Sequence, residues 1–401
     1  MTGIYKLTGS LQNYVWGGKD YIPNLLNISK VPNQYYAEWW LGAHSSSPSQ
    51  IDVKGKQQSL IDFIKQYPEV LGKQSRAIFG DELAYLLKIL DVNKPLSIQL
   101  HPTKKQAEQG FIAENEKGVE LKDPKRTYKD NNHKPEMMIA LSDFWLLHGF
   151  KQKAQIAETL RNRPSLTALL AKLEHQDLHH FYADIMQATQ SQLATWLLPI
   201  ITANKQAYQN HQLTLENPDY WLLYTMEAME ISEDKLDPGL ICFYLFNIVH
   251  LKTGEGIYQD AGIPHAYLRG QNIELMACSD NVIRGGLTPK HVDIPALLEV
   301  IDCGEIEPKI ISVAPQQNGS FTYKTAAKDF ALENVRYEVN TTVESKAENA
   351  MILLVMQGSL EISEKQTALL LNQGESAFIC ADTEYKIKGI KTGYCVLAKL
   401  P

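Results

Sequence analysis

"KPLSIQLHP", Lys94 to Pro102, sets Gln99 and His101 two residues apart inside an apolar run. Side chains alternate across a strand, so these two share one face while Ile98 and Leu100 share the other. If the Gln99 face is interior, an amide and an imidazole must each find hydrogen bonds or a metal, because burying an unpaired polar group costs roughly 1–3 kcal/mol. A satisfied core pair and a pair of metal ligands both meet that condition.

Working outward, "AYLLKIL" and "PEMMIALSDFWLLHGF" read as further strands. Helices are expected over "SLIDFIKQY" and over "TKKQAEQGF", which begins at Thr103 directly after Pro102. From about Lys151 to Asp237 apolar residues recur at three and four in Leu-, Ala-, Gln- and Lys-rich sequence, and Pro164 and Pro199 interrupt it before Pro218. That texture predicts an all-helical insertion. His179 and His180 lie within it, and adjacent residues on a helix do not face the same way, so they read as a solvated face. Residues 240–312 return to strands with a short helix near "DIPALLEVI", and residues 313–401 read as short strands separated by turns. The last segment holds no histidine, which argues against a metal site there. The pattern is mainly β with an α-helical insertion, as jelly-roll barrels interrupted by a helical domain would give.

At 401 residues the chain exceeds one ordinary core. With 44% hydrophobic and 21% charged residues it is neither disordered nor fibrous in composition. The start "MTGIYKLTGSLQNYVWGG" lacks a basic stretch followed by an apolar core, and no apolar run is long enough to cross a bilayer, so a cytoplasmic protein without a membrane partner is expected. Five cysteines, an odd number with no CxxC pair, fit thiols in a reducing compartment. A net charge of −7 argues against a nucleic-acid surface, so an anionic ligand must be met by a local basic cluster.

Three segments, "SIQLHP", "NHKPEM" and "IPHAYL", put metal-capable side chains into a β context: Gln99, His101, Glu136 and His265. Imidazole nitrogen and carboxylate oxygen suit a borderline-soft cation such as zinc, and two histidines, one glutamate and a neutral amide leave the metal net positive. His44, His133, His148, His250 and His291 remain open as core, surface or supporting groups.

"LQNYVWGG", "AEWWLGAHSSSPS", "LLKILDVNKPLSIQLHP", "RTYKDNNHKPEM" and "IPHAYLRGQNIELMACSDNVIRGGLTPKHVDIP" together resemble the type I mannose-6-phosphate isomerases, in family order from residue 11 to 295. The resemblance implies a cupin-like jelly roll in residues 1–150 and 240–312, a helical domain in 151–239 and a C-terminal jelly roll in 313–401. It also implies one zinc ion per chain on Gln99, His101, Glu136 and His265, and a sugar-phosphate substrate interconverted between mannose 6-phosphate and fructose 6-phosphate. Two departures, a serine after His44 where the family usually has proline and Gly285 where alanine is common, touch no ligand.

Aldose to ketose conversion moves a proton between C2 and C1, so it needs no nicotinamide or flavin, and the charge of an enediolate must be met by a cation already in place. Family positions put Arg284 in the active site and Ser97 with Lys290 on the phosphate. Two residues compete as the base: Lys134, whose cationic surroundings favour a neutral amine, and Glu274. Asp280 is a candidate for ring opening or for orienting Arg284, while Trp16 and Tyr267 are expected to wall the pocket. A cupin dioxygenase, a cupin-type glucose-6-phosphate isomerase and a non-catalytic sugar-phosphate binder are the rival readings. A monomer is expected, since packing within a barrel accounts for the apolar C-terminal strands.

Overall fold

A computed structural model describes residues 3–312, 319–365 and 367–401. The expected boundary between residues 312 and 313 therefore abuts 313–318, which lie outside the described residues. The chain is strand-rich, with two ten-stranded sheets among the described residues and helices set between and beside them.

One strand organises the first sheet. His265–Ala277 pairs through His265 to Arg269 with Phe144–Phe150, and through Gly270 to Ala277 with Tyr85–Val92. The change of partner falls at a bulge between Tyr267 and Arg269, followed by Gly270 at φ +130°. A Cβ at Gly270 would meet the Asp143 carbonyl oxygen at 2.7 Å, so the approach demands glycine. The bulge also re-phases the side chains. Tyr267 and Glu274, an odd number of residues apart, consequently face the same space and join through the tyrosine hydroxyl at 3.0 Å.

The expected alternation in "SIQLH" is present. Ile98 and Leu100 turn outward with Leu147, Ala266 and Ile283, into a core shared with the helical block. Ile139, Ile273 and Leu275 pack instead against the second sheet, with Leu354 and Val396. Met138, Leu146 and Tyr267 line the inner face between.

The helical region holds Lys153–Arg161, Thr167–His175, Leu178–Met186, Gln190–Gln209 and Pro218–Ala228. Pro199 does not interrupt it, contrary to expectation, but lies inside the 20-residue Gln190–Gln209. A proline there costs about 3 kcal/mol, and burial of Trp196, Leu197, Ile200 and Ile201 on both sides of it offsets the loss. The helix expected from Thr103 is Lys104–Glu116, and Thr103 caps it through a capping box with Gln106.

The second sheet departs from expectation in two ways. Its strands are long, 14 residues in Met351–Glu364 and 17 in Thr383–Lys399. Glycine bends them without ending them: at Gly358, φ +78°, a Cβ would meet the Lys391 and Thr392 carbonyls at 2.5 Å, and the register shifts around it. The sheet also recruits Ile4–Thr8, Gln50–Val53 and Lys56–Ser59 from the beginning of the chain, with Ile4 opposite Ile379 and Leu7 opposite Ser376.

Candidate metal centre and its surroundings

Strand register assembles the site. Gln99 lies opposite both His265 and Arg284, and His265 lies opposite His148, so four side chains form a row across the sheet on one face. Glu136 begins the strand Glu136–Ala140 beside Gln259 and Met276. His101 follows the strand Gln99–Leu100 and turns onto the same face.

His101, Glu136 and His265 are buried, and their ligand-capable atoms lie within 4.8 Å of one another. His101 Nδ1 is 2.7 Å from the Asn281 carbonyl oxygen and His265 Nδ1 is 2.9 Å from that of Ile263. A carbonyl only accepts, so both Nδ1 atoms carry the proton and both Nε2 atoms present lone pairs. Those Nε2 atoms sit 3.3 Å from the Glu136 carboxylate, one on each oxygen, without a hydrogen-bond partner. Burial holds the His101 pKa below its ordinary value, with Lys134 and His265 acting in the same sense, which keeps that imidazole neutral. Burial alone would raise the Glu136 carboxyl, but the Lys134 ammonium beside it holds it well below the usual range. Two lone pairs facing a carboxylate repel unless a cation lies between them. The donor set therefore fits a metal ion on chemical grounds.

Lys134 Nζ stands 3.0 Å from Glu136 Oε1 in a buried position. Glu274 is buried with both oxygens occupied, by Lys88 Nζ at 3.0 Å and by the Tyr267 hydroxyl at 3.0 Å. Asp280 is half exposed with His44 Nε2 at 3.3 Å, and that contact holds its carboxyl below the ordinary range against the effect of burial. Arg284 is half-buried and its guanidinium has no hydrogen bond or ion pair among the described residues. Trp16 packs on the inner-face cluster that contains Tyr267. Ser97 is half-buried and Lys290 exposed, and neither side chain bonds a described residue.

Several groups escaped the sequence reading. Lys88, in "AYLLKIL", is buried between Glu274 and Glu38, at 3.0 and 3.8 Å, with its ammonium over the Trp40 ring. Burial would lower its pKa, but the two carboxylates outweigh burial and raise it. A lone charge in an otherwise apolar strand was the available signal. His148, which the sequence left open as a core, surface or supporting group, is buried with its pKa pushed down to about 3 by burial and by His265. Gln259 and Asn272 are fully buried, and the Asn272 side-chain amide has no hydrogen-bond partner among the described residues. Asn281 ties two segments to its own: its backbone orients His101, its side-chain oxygen accepts from the Lys129 and Asp130 amides, and its amide donates to the Asp130 and Asn132 carbonyls.

Two imidazoles and a carboxylate sunk in a strand-rich fold, with lysine and arginine beside them, are the makeup of a metal-dependent enzyme. A model of the phosphomannose isomerase type I catalytic domain matches residues 4–153, and the mannose-6-phosphate isomerase of Salmonella typhimurium is 35% identical over 388 residues, 94% of this chain and 95% of that protein. The chain belongs to the type I phosphomannose isomerase family. The Escherichia coli K12 mannose-6-phosphate isomerase is 33% identical, covering 96% of this chain and 97% of its own. The crystal structure of the Salmonella typhimurium enzyme bound to its substrate fructose 6-phosphate and to zinc has a TM-score of 0.86 at 31% identity, with 99% of each chain covered.

Proposed function

We propose that this chain interconverts mannose 6-phosphate and fructose 6-phosphate through a cis-enediol, with one zinc ion held by Gln99, His101, Glu136 and His265. The observation that carries the reading is the orphaned trio of His101 Nε2, His265 Nε2 and a Glu136 oxygen facing one another, with Gln99 and Arg284 in register beside them. Relatives named for this reaction cover nearly the whole chain, and one of them was solved with zinc and fructose 6-phosphate. When bound, zinc supplies a fixed positive centre that polarises a sugar oxygen.

The remaining work falls to the protein. Lys134 and Glu274 are the two candidates for the base of the C1/C2 proton: Lys134 Nζ meets Glu136 at 3.0 Å, and the Glu274 oxygens meet Lys88 and Tyr267. Arg284, half-buried and without a hydrogen bond or ion pair among the described residues, offers its charge to the enediolate. Ser97 and Lys290 are assigned to the phosphate, Asp280 with His44 to ring opening, and Trp16 and Tyr267 to the pocket wall. The domain division at residues 150, 239 and 312, and jelly-roll architecture of the cupin type for both β regions, belong to the same reading. So do a monomer and a cytoplasmic location without nucleic-acid or membrane partners, which free thiols at all five cysteines support. No helix among the described residues is long and apolar enough to cross a membrane.

The test is formation of fructose 6-phosphate from mannose 6-phosphate before chelation, after it, and after zinc is restored. Activity should vanish and return. Arg284→Ala should keep its zinc while turnover falls on the order of 10²-fold. Zinc loss in that variant would make Arg284 structural, and a folded, zinc-loaded wild type that never turns over would end the isomerase reading.

A further inference from the structure

The segment from Asp130 to Glu136 carries Lys134 and a metal-ligand candidate, and it is stitched from two sides. Toward the chain around residue 280, Asn281 holds the Asp130 and Asn132 carbonyls, and the Asp130 carboxylate accepts from Ser279 Oγ and from the Asp280 amide. Past Asn132 those bonds stop. Over His133 to Pro135, the bonds to other segments among the described residues are two: the Ala277 amide to the Pro135 carbonyl at 3.1 Å, and His133 Nε2 to Asp329 Oδ1 at 2.9 Å.

Asp329 belongs to the other end of the molecule. It lies between the strands Ser320–Tyr323 and Ala331–Tyr337 of the second sheet and is 2% exposed. Its neighbours Ala327 and Phe330 sit in the core that holds the two sheets together, with Met137 and Ile139. Its carboxylate is therefore fixed by a packed core. The imidazole that reaches it is about a third exposed and sits one residue before Lys134. Alternation along an extended chain sends His133, Pro135 and Met137 toward the second sheet while Lys134 and Glu136 turn to the inner face. Anchoring one side of this stretch thus sets the other.

We propose that Asp329 is a positioning residue for the reaction: by holding His133, the second sheet fixes the backbone that aims Lys134 and Glu136 into the site. The proposal rests on the isomerase reading for its kinetic consequence but not for the clasp itself. It gives the C-terminal residues a part in the site although they contribute no group to the metal-ligand cluster.

The experiment compares wild type with Asp329→Ala, Asp329→Asn, His133→Ala and the double alanine variant. The readouts are steady-state kinetics on mannose 6-phosphate, bound zinc, and amide hydrogen exchange over residues 130–137. Asp329→Ala should lower kcat about tenfold to a hundredfold with KM within about threefold and zinc retained, since small misplacement of a reacting group is expensive. Asp329→Asn should recover much of the loss, because the amide oxygen still accepts from Nε2–H. Exchange at residues 132–136 should rise equally in both single alanine variants, and Asp329→Ala should add nothing in the His133→Ala background. A lowered melting temperature with unchanged kcat and exchange, additive losses in the double variant, or an asparagine variant as impaired as the alanine would each overturn the proposal. If Asp329→Ala does not fold, His133→Ala removes the same bond from its exposed side, and unchanged kcat and exchange there would overturn it too. An inactive wild type counts against the isomerase reading alone, and the exchange comparison then decides the clasp.

Discussion

The two ten-stranded sheets are built from the same kind of strand and filled in opposite ways. The inner face of the first sheet buries Lys88, Glu274, Asn272, His148 and Glu136 among apolar neighbours. A core within the second sheet buries Leu353, Val355, Leu360, Ile362 and Leu397. Apolar filling stabilises by roughly 1.5–3 kcal/mol for each fully buried large side chain. Polar filling contributes less, about 0.5–1.5 kcal/mol net for each hydrogen bond made, and a buried polar group left unpaired costs about 1–3 kcal/mol. The first sheet is thus under-stabilised on the face that does chemistry, and the second supplies packing and, through Asp329, a fixed point of reference.

The strongest way to break this contrast is to remove a polar group from the inner face. Glu136→Ala should bring bound zinc from about one per chain toward zero and turnover down on the order of 10³-fold or more. Zinc analysis and the isomerase assay check it. Retained zinc with near wild-type turnover would mean that the inner-face cluster is ordinary core.

A matched pair sharpens the contrast. Lys88→Met leaves Glu38 and Glu274 buried near each other without their shared cation, which should cost about 3–5 kcal/mol and depress activity. Leu353→Ala in the second sheet should cost about 2–5 kcal/mol through its cavity, with kcat unchanged at a temperature where the variant is folded. Denaturant melts and kinetics on both proteins separate the two. A kcat loss from Leu353→Ala equal to that from Lys88→Met would erase the distinction between the sheets.

How far this could be read beforehand differs by feature. Gln99 and His101 were legible because a period of two puts both on one face, and the structure places Ile98 and Leu100 on the other. The helical block was legible from spacing, yet Pro199 was misjudged because tertiary packing around Trp196 and Ile200 overrides local propensity. Lys88 shows in the sequence only as a lone charge in an apolar strand, because its partner Glu274 is 186 residues away and a strand pattern carries no information about what faces it. For the same reason the pairing of Ile4 with Ile379 could not be read from either segment alone. Thr383–Lys399 reads in the sequence as two short strands, since a glycine between apolar runs signals a turn and a bulge alike.

The smallest effect comes from a part-buried cation that lies in neither inner face. Lys151 Nζ is close to the Tyr244 carbonyl oxygen, at 3.4 Å, with no carboxylate paired to it among the described residues. Burial, aided by Arg163, pushes its pKa down to about 8, whereas Lys88 between its carboxylates is pushed up. Below pH 8 both folded and unfolded chains hold this proton, and the folded state bears the cost of a buried ammonium. Between about 8 and the unfolded value near 10.4 the unfolded chain binds more protons, so this residue's contribution to stability rises with pH. Lys151→Met should therefore be more stable than wild type at pH 7, by about 2 kcal/mol allowing for partial exposure, and the advantage should shrink toward zero by about pH 10. Chemical melts of both proteins across that range check it. An advantage that does not change with pH would mean the gain is packing alone, and no advantage at pH 7 would mean that the Tyr244 carbonyl already satisfies the charge.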